Sequence, residues 1–259
     1  MNQKIFVSSV FKSGTWLLRD ILERLTGLEA WEPEHIPSPP DYGDAGMIDF
    51  RQGCFFSWHS EINDAVKQVI RDNDAKAIFL VRNIYDLAVS MYFHFANDTD
   101  SELGKSAGQD DFFRRFEKDE GLAMIISGYP NFVGLGPHLA QIRDMFKFAK
   151  EYPVLLTSYE RLCLQKETEI RRLTEYLGLP DDPEIIAGIV AATDFDTMKK
   201  SAQAKGSGSH FRRGAPGGQR ETLKEHHLHM ILGQLANFAP DLWDLAREHG
   251  FHEITQRLG

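Results

Sequence analysis

Three short clusters in this 259-residue chain carry side chains suited to gripping an anion. The first is Phe11-Lys12-Ser13-Gly14-Thr15, between the apolar run Lys4–Ser9 and a helical pattern. Gly14 lets the backbone approach a ligand closely, and the start of a helix offers N–H groups and the positive end of its dipole. Lys12 adds a mobile charge, and Ser13 and Thr15 add hydroxyls. The second cluster is Arg82, ending the run Ala77–Val81, with Ser90 eight residues on. An Asp there would help to hold Mg²⁺, whereas an Arg attracts an anion directly. The two converge on one phosphate if the connecting turn folds back. The third is Phe211-Arg212-Arg213-Gly214, where two guanidinium groups can grip a phosphate bidentately and Gly214 and Gly217 allow tight wrapping.

Each cluster also has a plainer reading. Lys12 can be an exposed lysine on a β-α turn with a serine cap, Arg82 a surface arginine, and residues 211–214 a solvated loop. The order of residues limits the chemistry further. A nucleoside-triphosphate loop reads G-x-x-x-x-G-K-[ST]. Here Lys12 precedes Gly14 and no glycine precedes Lys12, the wrong order for ATP or GTP. The chain has no H-E-x-x-H, no C-x-x-C and no acidic Mg²⁺ pair. His226, His227 and His229 share a helix without a partner set and read as a solvated face, so no metal is expected.

The elements that must position these clusters follow from periodicity. Lys4–Ser9 reads as a buried strand. Leu17, Leu18, Ile21, Leu22 and Leu25 then repeat at helical spacing from Thr15, with Gly27 as the stop. Leu28–Gly53 holds four prolines and reads as a long irregular connection. Cys54–Trp58 reads as a strand, Ile62–Ile70 as a helix, Ala77–Val81 as a buried strand followed by a helix, and Val154–Tyr159 as a third clear parallel strand. Asp98–Asp111 reads as a surface loop. Further helices are expected at Asp111–Ser127, His138–Lys150, Lys166–Leu177, Asp182–Ala192, Glu221–Phe238 and Asp241–His249. The alternation predicts an α/β fold, a three-layer sandwich with a central parallel sheet and a P-loop-like strand-loop-helix anion site, in a single domain over residues 1–259.

Charge is uneven. The chain carries 38 acidic and 29 basic residues, a formal net charge of -9 that disfavours nucleic acid as partner. Yet Lys199–Arg220 holds six basic residues and no acidic one, a local anion site. Its part Ser201–Gln219 has five glycines and reads as a flexible loop, expected to order when an anion binds. No apolar run approaches the roughly 18 residues of a membrane span, and the first residues lack the apolar core of a signal peptide. Cys54 and Cys163 cannot build a disulfide framework, which suits a reducing, cytoplasmic setting.

Taken together, the clusters resemble the cytosolic-type sulfotransferases that use 3′-phosphoadenosine 5′-phosphosulfate (PAPS). KSGT at 12–15 is similar to that family's 5′-phosphosulfate loop, VRNIYDLAVSMYFHF at 81–95 to its 3′-phosphate motif, and FRRGAPGG at 211–218 to its C-terminal R-K-G-x-x-G motif. LLTSYERL at 155–162 resembles the strand whose tyrosine, here Tyr159, meets the nucleotide. TDFDTMKK at 193–200 resembles a T-S-F-x-x-M-K segment, which implies nucleotide contacts for Thr193, Phe195 and Met198. A family histidine that follows a short strand after the first helix matches His59, one of ten histidines. The chain departs from the pattern at three places. Trp16 and Leu17 stand where a hydroxyl and an aromatic residue are expected, Ser57 replaces a lysine two residues before the histidine, and Gly218-Gln219 replaces an acidic-aromatic pair.

The resemblance implies in-line sulfuryl transfer from PAPS to a hydroxyl on a small-molecule acceptor, leaving PAP and needing no metal. His59 is then the base and Lys12 the cation at the leaving oxygen. Lys12, Ser13, Gly14, Thr15 and Trp16 line the 5′ end, while Arg82, Ser90, Phe211, Arg212, Arg213 and Gly214 hold the 3′-phosphate. Acceptor contacts are expected from Leu28–Gly53, Asp98–Pro137 and the basic loop; the first two carry Trp31, Tyr42, Phe50, Tyr129 and Phe132. The sequence does not fix the oligomeric state; a homodimer is compatible with it. Two other classes stay open: a P-loop-like nucleotide kinase, and a non-catalytic nucleotide-binding protein on the same fold.

Overall fold

The computed structural model describes residues 3–32, 43–97, 113, 115–129, 134–204 and 214–257. Among the described residues five strands form one sheet: β1 (Ile5–Ser9), β2 (Glu29–Trp31), β3 (Cys54–Trp58), β4 (Lys76–Val81) and β5 (Val154–Ser158). Every pairing is parallel and the order is β2-β3-β1-β4-β5. Val7 at the centre lies opposite Ser57 on one side and Ile78 on the other. The described helices are α1 (Thr15–Thr26), α2 (Asp64–Asp72), α3 (Ile84–Asn97), α4 (Lys118–Ser127), α5 (Gly136–Phe148), α6 (Tyr159–Leu164), α7 (Lys166–Tyr176), α8 (Pro183–Ala192), α9 (Phe195–Ala204), α10 (Glu225–Phe238) and α11 (Leu242–Glu248).

The period of two in the strands sorts the core into two layers. Ile5, Val7, Ile78 and Leu80 face Leu18, Ile21 and Leu22 of α1, Leu173 of α7 and Ile189 of α8. Phe6, Phe56, Phe79 and Val81 face the other way, toward Val66 of α2, Leu87 of α3, Ile142 of α5 and Ile231 of α10. Helices cover both faces of β1 and β4, so β4 is apolar from Ala77 to Val81 and β1 is buried throughout, apolar over Ile5–Val7 and ending in two serines. This is the expected three-layer α/β arrangement.

Several boundaries differ from the sequence reading. Leu28–Gly53 was expected to be irregular throughout, but it contains β2 and a 3₁₀ turn at Ala45–Met47. Glu-Ala-Trp has little strand propensity, so pairing with Cys54, Phe55 and Phe56 decides its conformation. Tyr159 begins α6 rather than ending β5, because the Ser158 hydroxyl accepts from the Arg161 N–H and caps a helix there. The strand read as third is the fifth along the chain. Ser201–Ala204, read as loop, continues α9. The helix expected from Asp111 is described from Lys118 as α4, and that expected from Glu221 starts at Glu225 as α10. Asp98–Asp111, Tyr42, Phe132, Phe211, Arg212 and Arg213 lie outside the described residues. No described helix is long and apolar enough to cross a membrane.

Candidate functional site

The sheet's connections create a reversal beside β1. From β1 the chain runs to β2 and β3 on one side, then crosses to β4 and β5 on the other. Ligands of open α/β sheets lie beyond the carboxyl ends of the strands at such a point. The singled-out residues gather at that edge: Lys12–Thr15 follow β1, His59 follows β3, Arg82 follows β4 and Tyr159 follows β5.

The loop after β1 is shaped by two left-handed residues, Lys12 with φ 65° and Gly14 with φ 98°. Its inner side is fixed by Ser13, whose N–H donates to the Val10 carbonyl at 2.9 Å and whose hydroxyl donates to the same oxygen at 2.6 Å. Ser13 therefore spends its hydroxyl on the loop itself. It does not cap α1 either: Gly14 is the cap residue and no side chain caps the helix. Thr15 is likewise turned inward, its hydroxyl 2.8 Å from that of Ser9. What the loop offers outward is the backbone start of α1, with Lys12 beside it. Trp16, the second residue of α1, is 57% exposed.

Tyr159 and Arg82 stack on this loop. A Cβ added at Gly14 would lie 2.6 Å from Cδ2 of Tyr159, so only glycine accommodates the ring. The Arg82 guanidinium carbon sits 4.3 Å from the centroid of the same ring, and its Nη1 donates to the Lys12 carbonyl at 2.8 Å. Arg82 is 8% exposed, and its Nε is buried without a hydrogen-bond partner. Nearby, one Glu160 oxygen accepts from the Asn83 N–H at 3.2 Å while the other is buried without a partner. Burial raises the Glu160 carboxyl to about 7 even though Arg82 lowers it. Burial also pushes the Tyr159 hydroxyl up. An orphaned cationic donor beside an uncapped helix start is a set suited to phosphate groups.

The other residues that the sequence resemblance assigns to a nucleotide are distributed around these. Ser90 is half-buried, two turns along α3. Thr193 ends α8, with its hydroxyl donating to the Ile189 carbonyl at 2.8 Å. Phe195 opens α9, and a Cβ added at Gly214 (φ 66°) would lie 2.1 Å from its Cγ, so the two segments meet face to face. Met198 lies half-buried one turn further on. Asp86 is a residue that the sequence reading missed. It is buried in the first turn of α3, and its carboxylate accepts from the N–H groups of Gly217 at 2.6 Å and Gln219 at 3.0 Å. The end of the glycine-rich segment is thereby tied to the helix that follows Arg82. An acidic residue in the first turn after a strand was the available signal.

His59 is held from three directions. Its Nδ1 lies 2.8 Å from the Ser9 carbonyl, which can only accept, so Nδ1 carries the proton and Nε2 keeps its lone pair. The Gln141 amide donates to the His59 carbonyl at 3.1 Å, and the Ser8 hydroxyl to the Ser60 carbonyl at 2.7 Å. The imidazole is lowered from 6.5 to about 4, first by burial, with Arg19 and Lys12 adding to the effect while the Ser9 carbonyl and Glu32 oppose it. His138, unremarked in the sequence, is also lowered to about 4 by burial and by His59. Phe11 stands between them, its ring 5.6 Å from His59, 6.3 Å from His138 and 5.3 Å from His94.

Other candidates resolve into structural roles. Trp31, Phe50 and Tyr129 pack against the core. The histidines of α10 gain a partner in Asp119, which lies within ligand distance of His226 and His227. His227, however, accepts from the Lys224 N–H through Nδ1 and faces the Asp119 carbonyl at 3.0 Å through Nε2. Lys224 pairs with the Asp119 carboxylate at 2.9 Å. Both nitrogens of His227 are committed, and the cluster locks α10 to α4.

A model of the sulfotransferase domain matches residues 2–232 of the chain. Rat sulfotransferase 1A1 is 23% identical over 212 residues, covering 76% of this chain and 67% of its own length. Human sulfotransferase 2B1 is 25% identical over 210 residues, covering 77% and 53%. Cytosolic sulfotransferase 14 of Arabidopsis thaliana is 27% identical over 150 residues, covering 55% and 40%. The matches thus span from two fifths to two thirds of these relatives. Among solved structures, mouse sulfotransferase SULT7A1 complexed with PAP has a TM-score of 0.69 at 18% identity, covering 95% of this chain and 89% of its own. Retinol dehydratase in complex with androsterone and inactive cofactor PAP has a TM-score of 0.61 at 16% identity, covering 93% and 81%.

Proposed function

The chain belongs to the sulfotransferase family, and on that premise we propose that it moves the sulfuryl group of PAPS to a hydroxyl of a small-molecule acceptor and releases PAP. The observation that carries this reading is the pairing of His59 with the uncapped start of α1. A neutral imidazole with its lone pair on Nε2 stands across from a cationic, amide-lined loop. The acceptor oxygen attacks sulfur as its proton passes to His59 Nε2, and the bond from sulfur to the 5′-phosphate oxygen breaks. Lys12 and the first amides of α1 balance the charge that develops on that leaving oxygen. Ser13, Gly14, Thr15 and Trp16 shape the 5′ end. Tyr159, Thr193, Phe195 and Met198 surround the nucleoside. Arg82, Ser90, Phe211, Arg212, Arg213 and Gly214 receive the 3′-phosphate, and the orphaned Arg82 Nε supports that role. Burial keeps His59 unprotonated at neutral pH, and an arriving anion favours its protonated form at the moment it accepts a proton. A cytosolic setting is part of the same reading, supported by the name of the plant relative.

The test is a titration with PAP, adenosine 5′-phosphosulfate and ATP, followed by transfer of labelled sulfuryl from PAPS to a panel of phenols and alcohols. Tight PAP binding with metal-independent transfer is expected. Preferential, Mg²⁺-dependent ATP binding would point instead to a kinase, and PAP binding without transfer to any acceptor to a binding protein.

A further inference from the structure

Arg19 is a buried cation without a part in the reaction as described so far. It lies one turn beyond Thr15 on α1 and is 7% exposed. Three contacts fix its guanidinium. Nε donates to the Ser57 hydroxyl at 2.9 Å, Nη2 to the Ser57 carbonyl at 2.6 Å, and Nη1 to the Glu32 carboxylate at 2.6 Å. Ser57 is the penultimate residue of β3, two before His59. β2 pairs with β3 only as far as Phe56, so the Ser57 carbonyl lies past the end of that ladder and Arg19 supplies its partner. The guanidinium has five N–H groups, and these contacts use three of them. Glu32 is half exposed, so water weakens its hold on the charge.

We propose that Arg19 is a positioning residue for His59 and the cation on the base side of the transfer site. It ties the end of β3 to the helix that follows the anion loop, so the base and the leaving-group side are registered by one side chain. Its charge also makes the imidazolium less favourable. This assignment rests on the reading of His59 as base. The charged and titratable groups facing His59 are Lys12 from the loop, Arg19 from α1, Glu32 after β2 and His138 from α5. Of these, Arg19 and Glu32 form one ion pair and act on the imidazole with opposite sign. A structural role alone predicts that losing either partner loosens the site in the same way. A charge role predicts opposite shifts.

The experiment follows the His59 imidazole by NMR titration in the full chain and in Arg19→Gln, Arg19→Lys, Glu32→Gln and Ser57→Ala, with PAP affinity and turnover of a small phenol in each. Arg19→Gln should move the His59 midpoint up and Glu32→Gln should move it down. Arg19→Lys keeps the charge but lacks the planar fork, so it restores the midpoint while turnover stays reduced. Turnover of Arg19→Gln should fall about 10²-fold, the scale of a misplaced catalytic group, with PAP affinity changed far less. Shifts of the same sign in Arg19→Gln and Glu32→Gln, or wild-type turnover in Arg19→Gln, would reduce Arg19 to a stitch between α1 and β3. If Arg19→Gln fails to fold, the opposite shift in Glu32→Gln and the turnover of Ser57→Ala decide, since both keep the buried arginine. Unchanged turnover in His59→Ala would overturn the base assignment separately, whatever Arg19 does to the titration.

Discussion

Replacing Arg82 with Ala separates the two ends of the proposed nucleotide site. In the free protein, Arg82 makes one bond to the Lys12 carbonyl and one stacking contact with Tyr159, and its Nε has no partner. A buried donor left unpaired costs about 1–3 kcal/mol. That cost offsets much of what the other contacts contribute, so the variant should melt close to wild type. Removing the guanidinium also leaves Glu160 without the cation that holds its carboxyl down to about 7, so it moves higher still. The carboxyl then becomes neutral rather than an unpaired buried charge, which spares the fold. Binding behaves differently. Charged hydrogen bonds to a 3′-phosphate contribute about 1.5–3 kcal/mol, which corresponds to a loss of roughly 10- to 150-fold. Any distortion of the Lys12 loop weakens all adenosine 5′-phosphates alike. The decisive quantity is therefore a ratio: calorimetric affinity for PAP divided by that for adenosine 5′-phosphate, in wild type and variant. The ratio should fall by roughly 10- to 150-fold in Arg82→Ala. An unchanged ratio, with both affinities lowered equally, would show that Arg82 only supports the loop.

Three further outcomes are expected. Lys12→Ala should lower kcat rather than raise KM for PAPS, because its charge is needed as the leaving oxygen becomes anionic; a change in KM alone would make it a ground-state contact. Gly14→Ala places a methyl 2.6 Å from the Tyr159 ring at a φ of 98°, so left-handed strain of about 1–2 kcal/mol and overpacking of about 1–3 kcal/mol should lower the melting temperature and PAP affinity together, and a variant that melts and binds as wild type would refute the packing seen there. Stability should fall with acid through His59: its folded value of about 4 lies below the ordinary 6.5, so its contribution is present above pH 6.5 and is lost as pH falls toward 4, at most about 3 kcal/mol, and urea unfolding at pH 7.5 and 4.5 should show a steeper loss in wild type than in His59→Gln.

The parts legible in the sequence were those in which one local rule suffices. β4 is buried on both faces and announces itself as an apolar run, and β1 as a short run of β-formers, Ile5–Val7. The Lys12–Thr15 turn and the arginine after β4 each had a plainer reading alone, and the parallel sheet brings both to the carboxyl ends of neighbouring strands. Harder to read were residues whose meaning depends on a partner far along the chain. Asp86 looks like an ordinary first-turn acid until the amides of Gly217 and Gln219, some 131 and 133 residues away, arrive at its carboxylate. His138 is one histidine among ten until Phe11 places it beside His59. Ser13 shows the converse. Its type suggested an outward donor or a helix cap, and the backbone carbonyls of Val10, just past β1, and Leu80 of β4 claim its hydroxyl instead.

Ser57 shows where reading motifs residue by residue stops. Taken alone, a serine two residues before His59 looks like a missing positive charge. In three dimensions the position is bonded twice by Arg19, which stands 38 residues earlier on another element. A cation on a strand end and a cation on a neighbouring helix can address the same volume, and nothing in the spacing of either motif distinguishes them. The two solutions differ in physics. A lysine on the strand would bring a flexible point charge, whereas a guanidinium across the gap also fixes the distance between α1 and β3. The serine is then the acceptor that such an arginine needs, since a second cation at position 57 would repel it. A double variant tests this directly: Ser57→Lys should harm wild type and partly rescue Arg19→Gln. Failure of that rescue, with both proteins folded, would mean that the two positions do not share one role.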